Sequence, residues 1–208
     1  RLTTEIQRRL DRLEGAGALQ GMPPMLAFTS AVDATVLPVA LVQNLYNRLP
    51  PGGHELVVYD INRVAGIEHL LTWSPQEMVA ALQLEAGQRF TLSFVTNVHP
   101  GTRSVHERRW GSREAPPRET PLGLEWPADV YSLSHVALPF PPGDPLYGGR
   151  PESPSPGVSL GDIARRGERG VLAISPAAML RLRWNPFYDY QERRVLEFLA
   201  LDGPEGDR

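Results

Sequence analysis

The chain has 208 residues, which is enough for one domain with a substantial core. Its net charge of −3 gives no sign of a nucleic-acid binder, and no apolar run reaches the roughly 18 residues that a membrane span needs. The absence of cysteine excludes disulfides, a thiolate nucleophile and cysteine-bound metals.

The first residues predict an amphipathic helix. Leu2, Ile6, Leu10 and Leu13 recur at helical spacing between charged residues, and Gly15 begins the glycine-rich stretch that ends the pattern. Because the chain opens inside this helix and does not begin with methionine, we expect further sequence upstream.

The following residues predict a β–α–β unit. A mainly apolar strand begins at Met25 and ends in a small-residue turn with Asp33 at its tip. A helix is predicted at 37–49, and a second strand at 54–63 carries Asp60 near its end. An unbroken apolar strand favours a parallel sheet that is covered on both faces. We therefore predict an α/β fold with a mostly parallel sheet and helices on both faces.

The rest of the chain alternates between apolar segments and polar loops. Ser74, followed by Pro75 and Glu77, predicts the start of a helix. The remaining predicted elements are helical residues at 64–87, a strand at 89–98, a polar excursion with little core at 99–127, a return to the sheet at 129–140, a loop at 141–157 and a strand at 167–175.

The C-terminal region predicts one more helix, at 191–201, with an apolar side made by Val195, Leu196, Phe198 and Leu199. The segment RLRWNPFYDY before it is expected to anchor this helix. Trp126, Trp184 and Phe187 could line an acyl pocket, but aromatic residues beside prolines are more often packed in the core, and we expect them there.

Strand ends supply the candidate catalytic residues, because functional side chains gather past the carboxyl ends of parallel strands. Asp33 and Asp60 lie at two such ends, and His135 lies near a third. A serine hydrolase needs a nucleophile, an imidazole base and a carboxylate that orients the imidazole, and these residues can supply the last two. Taken alone, Asp33 is better explained as a turn or helix-capping residue, and His135 equally well as a core histidine.

A family resemblance changes this balance. The stretch PMLAFTSAVD and the residues after it, to position 60, together with SLSHVALPFPPGDPLYG around His135, resemble the late part of α/β-hydrolases of the lysophospholipase and serine-aminopeptidase type. That family orders its triad as serine, acid, histidine, and Asp33 followed by His135 fits this order. The resemblance implies that Asp33 is the acid, that His135 is the base, and that a carboxylic ester such as a lysophospholipid is cleaved through an acyl-enzyme. It implies no metal and no organic cofactor.

The chain departs from the family pattern after the second strand. Most members carry the histidine soon after that strand, whereas this chain reads DINR there. We therefore divide the chain into the end of a hydrolase core at 1–63, an insertion or sheet extension at 64–128, and the histidine loop with the C-terminal strand and helix at 129–208.

The nucleophile is not evident in the chain. GVSLG, with Ser159, is the one match to G-x-S-x-G, but it follows PESPSP instead of a buried strand and comes after both the acid and the histidine. We reject Ser159 and expect the nucleophile upstream of residue 1, in the N-terminal portion of the same protein. This chain alone is then expected to be inactive, with Asp60 as the reserve acid.

Two other interpretations stay open. A hydrolase-fold protein that binds without catalysing is compatible with a chain that shows no nucleophile. A nicotinamide-binding domain is suggested by GAGALQG and VVYDINR, but the glycines follow a charged helix instead of a strand. The sequence separation of Gly17 and Asp60 is also about twice the roughly 20 residues that the motif requires.

The other histidines carry weaker signals. His54 is expected to be exposed at the start of a strand, and His106 to lie on a solvated charged face. No histidine pair has the spacing of a helical metal site. The exact substrate, the choice between ester and amide, the oligomeric state and the compartment are not determined by the sequence.

Overall fold

A computed structural model describes residues 2–33, 35–66, 74–85, 89–111, 115–128, 130–133, 137–148, 163–164, 181–182 and 184–199. Its helices and strands are α1 (Leu2–Gly15), β1 (Leu26–Ser30), α2 (Pro38–Asn44), β2 (His54–Tyr59), α3 (Pro75–Glu85), β3 (Phe90–Asn97), β4 (Ser104–Trp110), β5 (Arg118–Glu125), β6 (Ile163–Ala164), β7 (Arg181–Leu182) and α4 (Tyr188–Phe198). Short 3₁₀ helices at Ala18–Gly21, Tyr46–Arg48 and Arg63–Ala65 join some of them.

The main sheet has five strands in the order β1-β2-β3-β4-β5. β1 and β3 both pair parallel to β2, whereas β3–β4 and β4–β5 pair antiparallel. The predicted α/β class is therefore confirmed, but the sheet is mixed and not mostly parallel. The short connection from β3 to β4 explains the difference, because only antiparallel neighbours can be joined by so few residues.

The sheet is covered on both faces, as its apolar strands predict. Leu56 and Val58 of β2 face a cluster that α2 and α3 complete, whereas Val57 and Tyr59 point to the opposite face. The second cluster also contains Trp126, Val130, Leu133, Leu138, Phe187 and Tyr190. The ring of Trp126 meets the ring of Phe187 edge-on at 4.9 Å, which confirms both as core residues.

Several predicted boundaries are close to the observed ones. α1 ends at Gly15, and Gly17 adopts the left-handed φ of 67° that glycine allows. α3 begins where the capping pattern predicts, since the Ser74 Oγ accepts a hydrogen bond from the Glu77 backbone N–H at 3.2 Å. The predicted second helix is shorter than 37–49, because the backbone at Leu45 leaves the helical region.

The predicted polar excursion at 99–127 is wrong, because it contains β4 and β5. Val105 and Trp110 are buried, and Trp110 packs edge-on against Phe94 of β3 at 5.8 Å. Across the hairpin, Arg108 Nε donates to Glu119 Oε1 at 3.0 Å. Opposite charges therefore face each other across neighbouring strands, and this stabilises a hairpin that its polar composition conceals.

The segment 129–140 was predicted to return to the sheet, and its described residues are not a strand of the five-stranded sheet. Val130, Leu133 and Leu138 instead pack against the second face as an irregular layer. The predicted strand at 167–175 and residues 67–73 of the predicted helical region lie outside the described residues.

α4 is held to the sheet by the buried Tyr190 ring and by polar groups, and not by the predicted apolar side. Leu196 and Leu199 are 38% and 56% exposed. Asn185, just before the helix, donates to the Leu138 carbonyl at 3.3 Å and accepts from the Phe187 N–H at 2.9 Å. The predicted anchoring role of this segment is therefore confirmed.

An ion network joins α4 to strands β2 and β4. The Glu55 carboxylate on β2 contacts Arg194 of α4 and lies 2.9 Å from Arg109 of β4. Tyr190 of α4 donates to Glu107 Oε1 at 3.0 Å. Glu55 is only 12% exposed, and it compensates two partly buried guanidinium groups.

Glu55→Gln is expected to lower the free energy of unfolding by about 2 kcal/mol, because it removes the shared carboxylate from two partly buried guanidinium groups, which keep Glu107 and Glu197 as acidic partners. The matched control is Glu5→Gln on α1, where the Glu5 side chain is 61% exposed beside Arg8 and Arg12 and contributes about 0.5 kcal/mol. Urea denaturation measures both, and an equal loss in the two variants would contradict a structural role for the network.

Among the described residues, no helix is both long enough and apolar enough to span a membrane.

Candidate functional site

Asp33 lies in a tight turn just past the carboxyl end of β1. Its backbone N–H donates to the Ser30 carbonyl at 3.0 Å, and its Oδ1 accepts from the N–H groups of Thr35 and Val36 at 2.8 and 3.0 Å. The residue is 6% exposed. These contacts are those of an aspartate that closes a turn, and they fix the plane of its carboxylate.

The chain returns to this strand end about a hundred residues later. The Ser30 Oγ donates to the Leu133 carbonyl at 2.8 Å in a buried hydrogen bond. Ser30 precedes Asp33 by three residues, and Leu133 precedes His135 by two. His135 lies outside the described residues, as does the rejected Ser159.

Asp60 is the centre of a buried polar cluster past the carboxyl end of β2. Its Oδ1 accepts from the Ile61 N–H at 2.8 Å, and its Oδ2 accepts from Arg63 Nη2 at 2.9 Å and from the Thr96 hydroxyl at 2.7 Å. The residue is 3% exposed. Donors already occupy both carboxylate oxygens, so the geometry suits a structural carboxylate better than the predicted reserve acid.

A second layer of amides continues this cluster toward the turn after β3. Asn97 Oδ1 accepts from the Arg63 N–H at 2.9 Å, and Asn97 Nδ2 donates to the Thr102 carbonyl at 2.6 Å. Asn62 Nδ2 donates to the Val130 carbonyl at 2.6 Å. The amides thus link the ends of β2 and β3 to the segment that leads to Leu133.

A cleft of about 430 Å³ opens beside this cluster, between α3 and the β3–β4–β5 part of the sheet. Its described lining includes Asp60 and Thr96 from the cluster, with Phe94, His106 and Trp110 from the sheet. His106 stands directly opposite Thr96 in the antiparallel pairing of β3 and β4. Burial lowers the pKa of the His106 imidazole, and the neighbouring Arg108 adds to this, while Glu119 opposes it.

Sequence reasoning missed this cleft and misjudged two histidines. His106 is 6% exposed and not on a solvated face, because its strand is covered on that side. His54 is 1% exposed, and its Nδ1 accepts from the Met25 N–H at 3.1 Å, which ties the starts of β1 and β2 together. His106, Arg108 and Trp110 are spaced two residues apart and belong to one face of the strand, whereas Val105 belongs to the other. This alternation was the sequence signal for the strand.

The described residues give no support to a metal or a dinucleotide. No group of three or more histidine and acidic side chains among them could hold a metal ion. Gly17 follows α1 and not a strand, so the strand–turn–helix context of a dinucleotide fingerprint is missing there.

Comparisons with family models, with curated proteins and with solved structures found no match to this chain.

Asp60→Asn is expected to lower the free energy of unfolding by about 3 kcal/mol, because the uncharged amide no longer compensates Arg63 and sets its NH2 group against either the Ile61 N–H or the Arg63 guanidinium. The matched variant Thr96→Val removes one donor at nearly constant volume and is expected to cost about 1 kcal/mol. Chemical denaturation checks both. If the Asp60→Asn protein is as stable as the parent, the structural role of Asp60 is wrong and Asp60 is again a candidate catalytic acid.

The lowered pKa of His106 predicts a pH dependence of stability. The unfolded chain takes up a proton on this histidine near its ordinary pKa of 6.5, whereas the folded chain does so only at lower pH. The folded state therefore loses stability as the pH falls below about 6.5. In His106→Gln, the fall in unfolding free energy between about pH 7 and about pH 5 should be smaller than in the parent protein, and an unchanged slope would refute this.

Proposed function

We propose that this chain supplies the acid and the histidine of a serine hydrolase of the α/β-hydrolase type, with Asp33 as the acid and His135 as the base. The substrate class is a carboxylic ester with an acyl chain. The observation that carries the proposal is the hydrogen bond from Ser30 to Leu133.

This hydrogen bond ties together two segments that are distant in sequence. Ser30 leads directly into the Asp33 turn, and Leu133 leads directly toward His135. A triad needs its acid within hydrogen-bond reach of its histidine. The contact between the two lead segments supports such a pairing.

The Asp33 carboxylate suits the role of a triad acid. Its two backbone hydrogen bonds both end on Oδ1, so the carboxylate is held in one orientation. In the proposed triad, Oδ2 accepts the Nδ1–H of His135, which selects the imidazole tautomer with a basic Nε2 and stabilises the imidazolium formed during the reaction.

The position of β1 in the sheet also suits the proposal. Within the described sheet β1 has β2 as its one neighbour, so its other edge can pair with a further strand. A parallel strand added there would end beside the Asp33 turn, since parallel strands place their carboxyl ends at the same edge. A serine at that strand end would be the nucleophile.

The proposed reaction has two steps. The serine hydroxyl attacks the ester carbonyl while His135 takes its proton, and the protonated His135 then gives this proton to the leaving alcohol, so that an acyl-enzyme remains. Water next attacks the acyl-enzyme with His135 again as base, and the fatty acid and the free serine are released. Asp33 orients His135 in both steps and does not itself take up a proton.

Asp33→Asn is expected to lower kcat/KM for a p-nitrophenyl acyl ester by about 10⁴-fold in a preparation that includes the upstream sequence. Stability should change by less than about 1 kcal/mol, because the asparagine oxygen accepts the same two N–H bonds. His135→Ala should lose a similar factor.

Asp144→Asn is the matched control for Asp33→Asn. Asp144 Oδ1 accepts from the Leu146 and Tyr147 N–H groups at 2.9 and 2.8 Å, the same local pattern as at Asp33. We expect full activity from this control. If Asp33→Asn is equally active, Asp33 is only a turn residue and the triad assignment fails.

A fluorophosphonate probe separates catalysis from binding alone. Labelling of a serine upstream of this chain supports the proposed division of the triad. Labelling of Ser159 or another serine within the chain would overturn the position assigned to the nucleophile. Absence of labelling in the complete protein would favour the non-catalytic hydrolase-fold binder.

A further inference from the structure

The cleft between α3 and the β3–β4–β5 part of the sheet has the composition of a ligand site. Its volume of about 430 Å³ falls within the range of small-molecule pockets. Phe94, Trp110 and Val79 provide apolar walls, and the polar groups of Thr96 and His106 lie side by side on its floor. None of the described residues that line it belongs to the Asp33 turn or to the Ser30–Leu133 contact.

His106 is a polar side chain of the cleft that is placed to bind a ligand. Its side chain is 8% exposed, and among the described residues no hydrogen bond reaches either ring nitrogen. The closest acidic atom, Glu119 Oε2, is 3.8 Å from Nδ1, which is too far for a hydrogen bond. The ring nitrogens of His106 remain accessible at the surface of the cleft that it lines, so a ligand there can form hydrogen bonds with them.

The charges that line the cleft are balanced among themselves. Asp60 Oδ2 lies 2.9 Å from Arg63 Nη2, and Glu119 Oε1 lies 3.0 Å from Arg108 Nε. Arg108 also stands 5.2 Å from the centre of the Trp110 ring. Burial lowers the pKa of His106, which favours the neutral form of its imidazole. A charged ligand would therefore meet no unpaired opposite charge from these side chains and would lose its hydration.

We propose that this cleft binds an uncharged molecule with an aromatic or apolar body and one polar group, such as a carboxamide, that both donates and accepts hydrogen bonds. The apolar body packs against Phe94 and Trp110. The polar group meets the neutral His106 ring, which offers one donor and one acceptor. This site is independent of the proposed hydrolase triad.

The test uses three probes that share one ring and differ in charge: benzamide, benzoate and benzamidine. Saturation-transfer NMR titrations measure their affinities for the intact chain. Benzamide is expected to bind with a Kd on the order of 1 mM, and benzoate and benzamidine at least about tenfold more weakly. Equal binding of the three probes, preference for a charged probe, or no benzamide binding at about 10 mM would each overturn the proposal.

Two variants place the binding in the cleft. Ala80→Trp adds an indole at an exposed α3 position that lines the cleft and should abolish benzamide binding. Ala16→Trp makes the same change at an exposed position after α1 and should leave binding unchanged. His106→Phe keeps a ring of similar shape and should weaken benzamide binding about tenfold, because both hydrogen bonds are lost.

Thermal unfolding confirms that each variant is folded before its binding is compared. If a folded Ala80→Trp protein binds benzamide as the parent does, the probe lies elsewhere and the cleft is not its site. If His106→Phe binds as well as the parent, the polar part of the proposed recognition is wrong.

Discussion

The parallel register of β1, β2 and β3 is the constraint from which the candidate site follows. Ser30 pairs with Tyr59, and Tyr59 pairs with Val95, so β1 and β2 end level and β3 continues two residues further, to Asn97. The residues just beyond these ends therefore share one edge of the sheet. Both faces of these strands are covered, so polar groups at this edge are buried and must find partners within the protein. The Ser30–Leu133 hydrogen bond and the Asp60 cluster both satisfy this requirement.

The same edge gives its two aspartates different environments. Asp60 has a guanidinium, a hydroxyl and a backbone N–H on its two oxygens, and removing any of these would leave a buried group unsatisfied. Asp33 receives its backbone hydrogen bonds on Oδ1 from the residues that follow it. A triad acid must accept an imidazole N–H while its orientation is fixed by other donors. The two backbone hydrogen bonds on Asp33 Oδ1 fix the orientation of its carboxylate, which suits the role of the proposed acid.

Local patterns in the sequence predicted the β1–α2–β2 unit, α3 and β3, because each of these elements has an apolar run or a capping pattern of its own. β4 and β5 could not be recognised in that way. Their stability depends on contacts between residues far apart in sequence, such as Arg108 with Glu119 and Trp110 with Phe94. A strand rich in charged side chains is predicted to be a solvent-exposed loop when the strand that pairs with it is not known. The burial of His54 likewise depends on a neighbouring strand, through the Met25 N–H.

The cleft and the proposed triad edge lie on different sides of the same sheet. Thr96 and His106 share the face of Phe94 and Trp110, whereas the Ser30–Leu133 contact belongs to the face of Val57 and Tyr59. Asp60 connects the two regions, since it follows β2 at the triad edge and its Oδ2 accepts from Thr96 on the cleft side. A substitution at Asp60 therefore affects the cleft through a buried hydrogen bond. A substitution at Asp33 alters a turn that shares none of the described cleft residues. The proposed reaction at one strand edge and the proposed ligand site on the other face therefore use separate side chains of the same sheet.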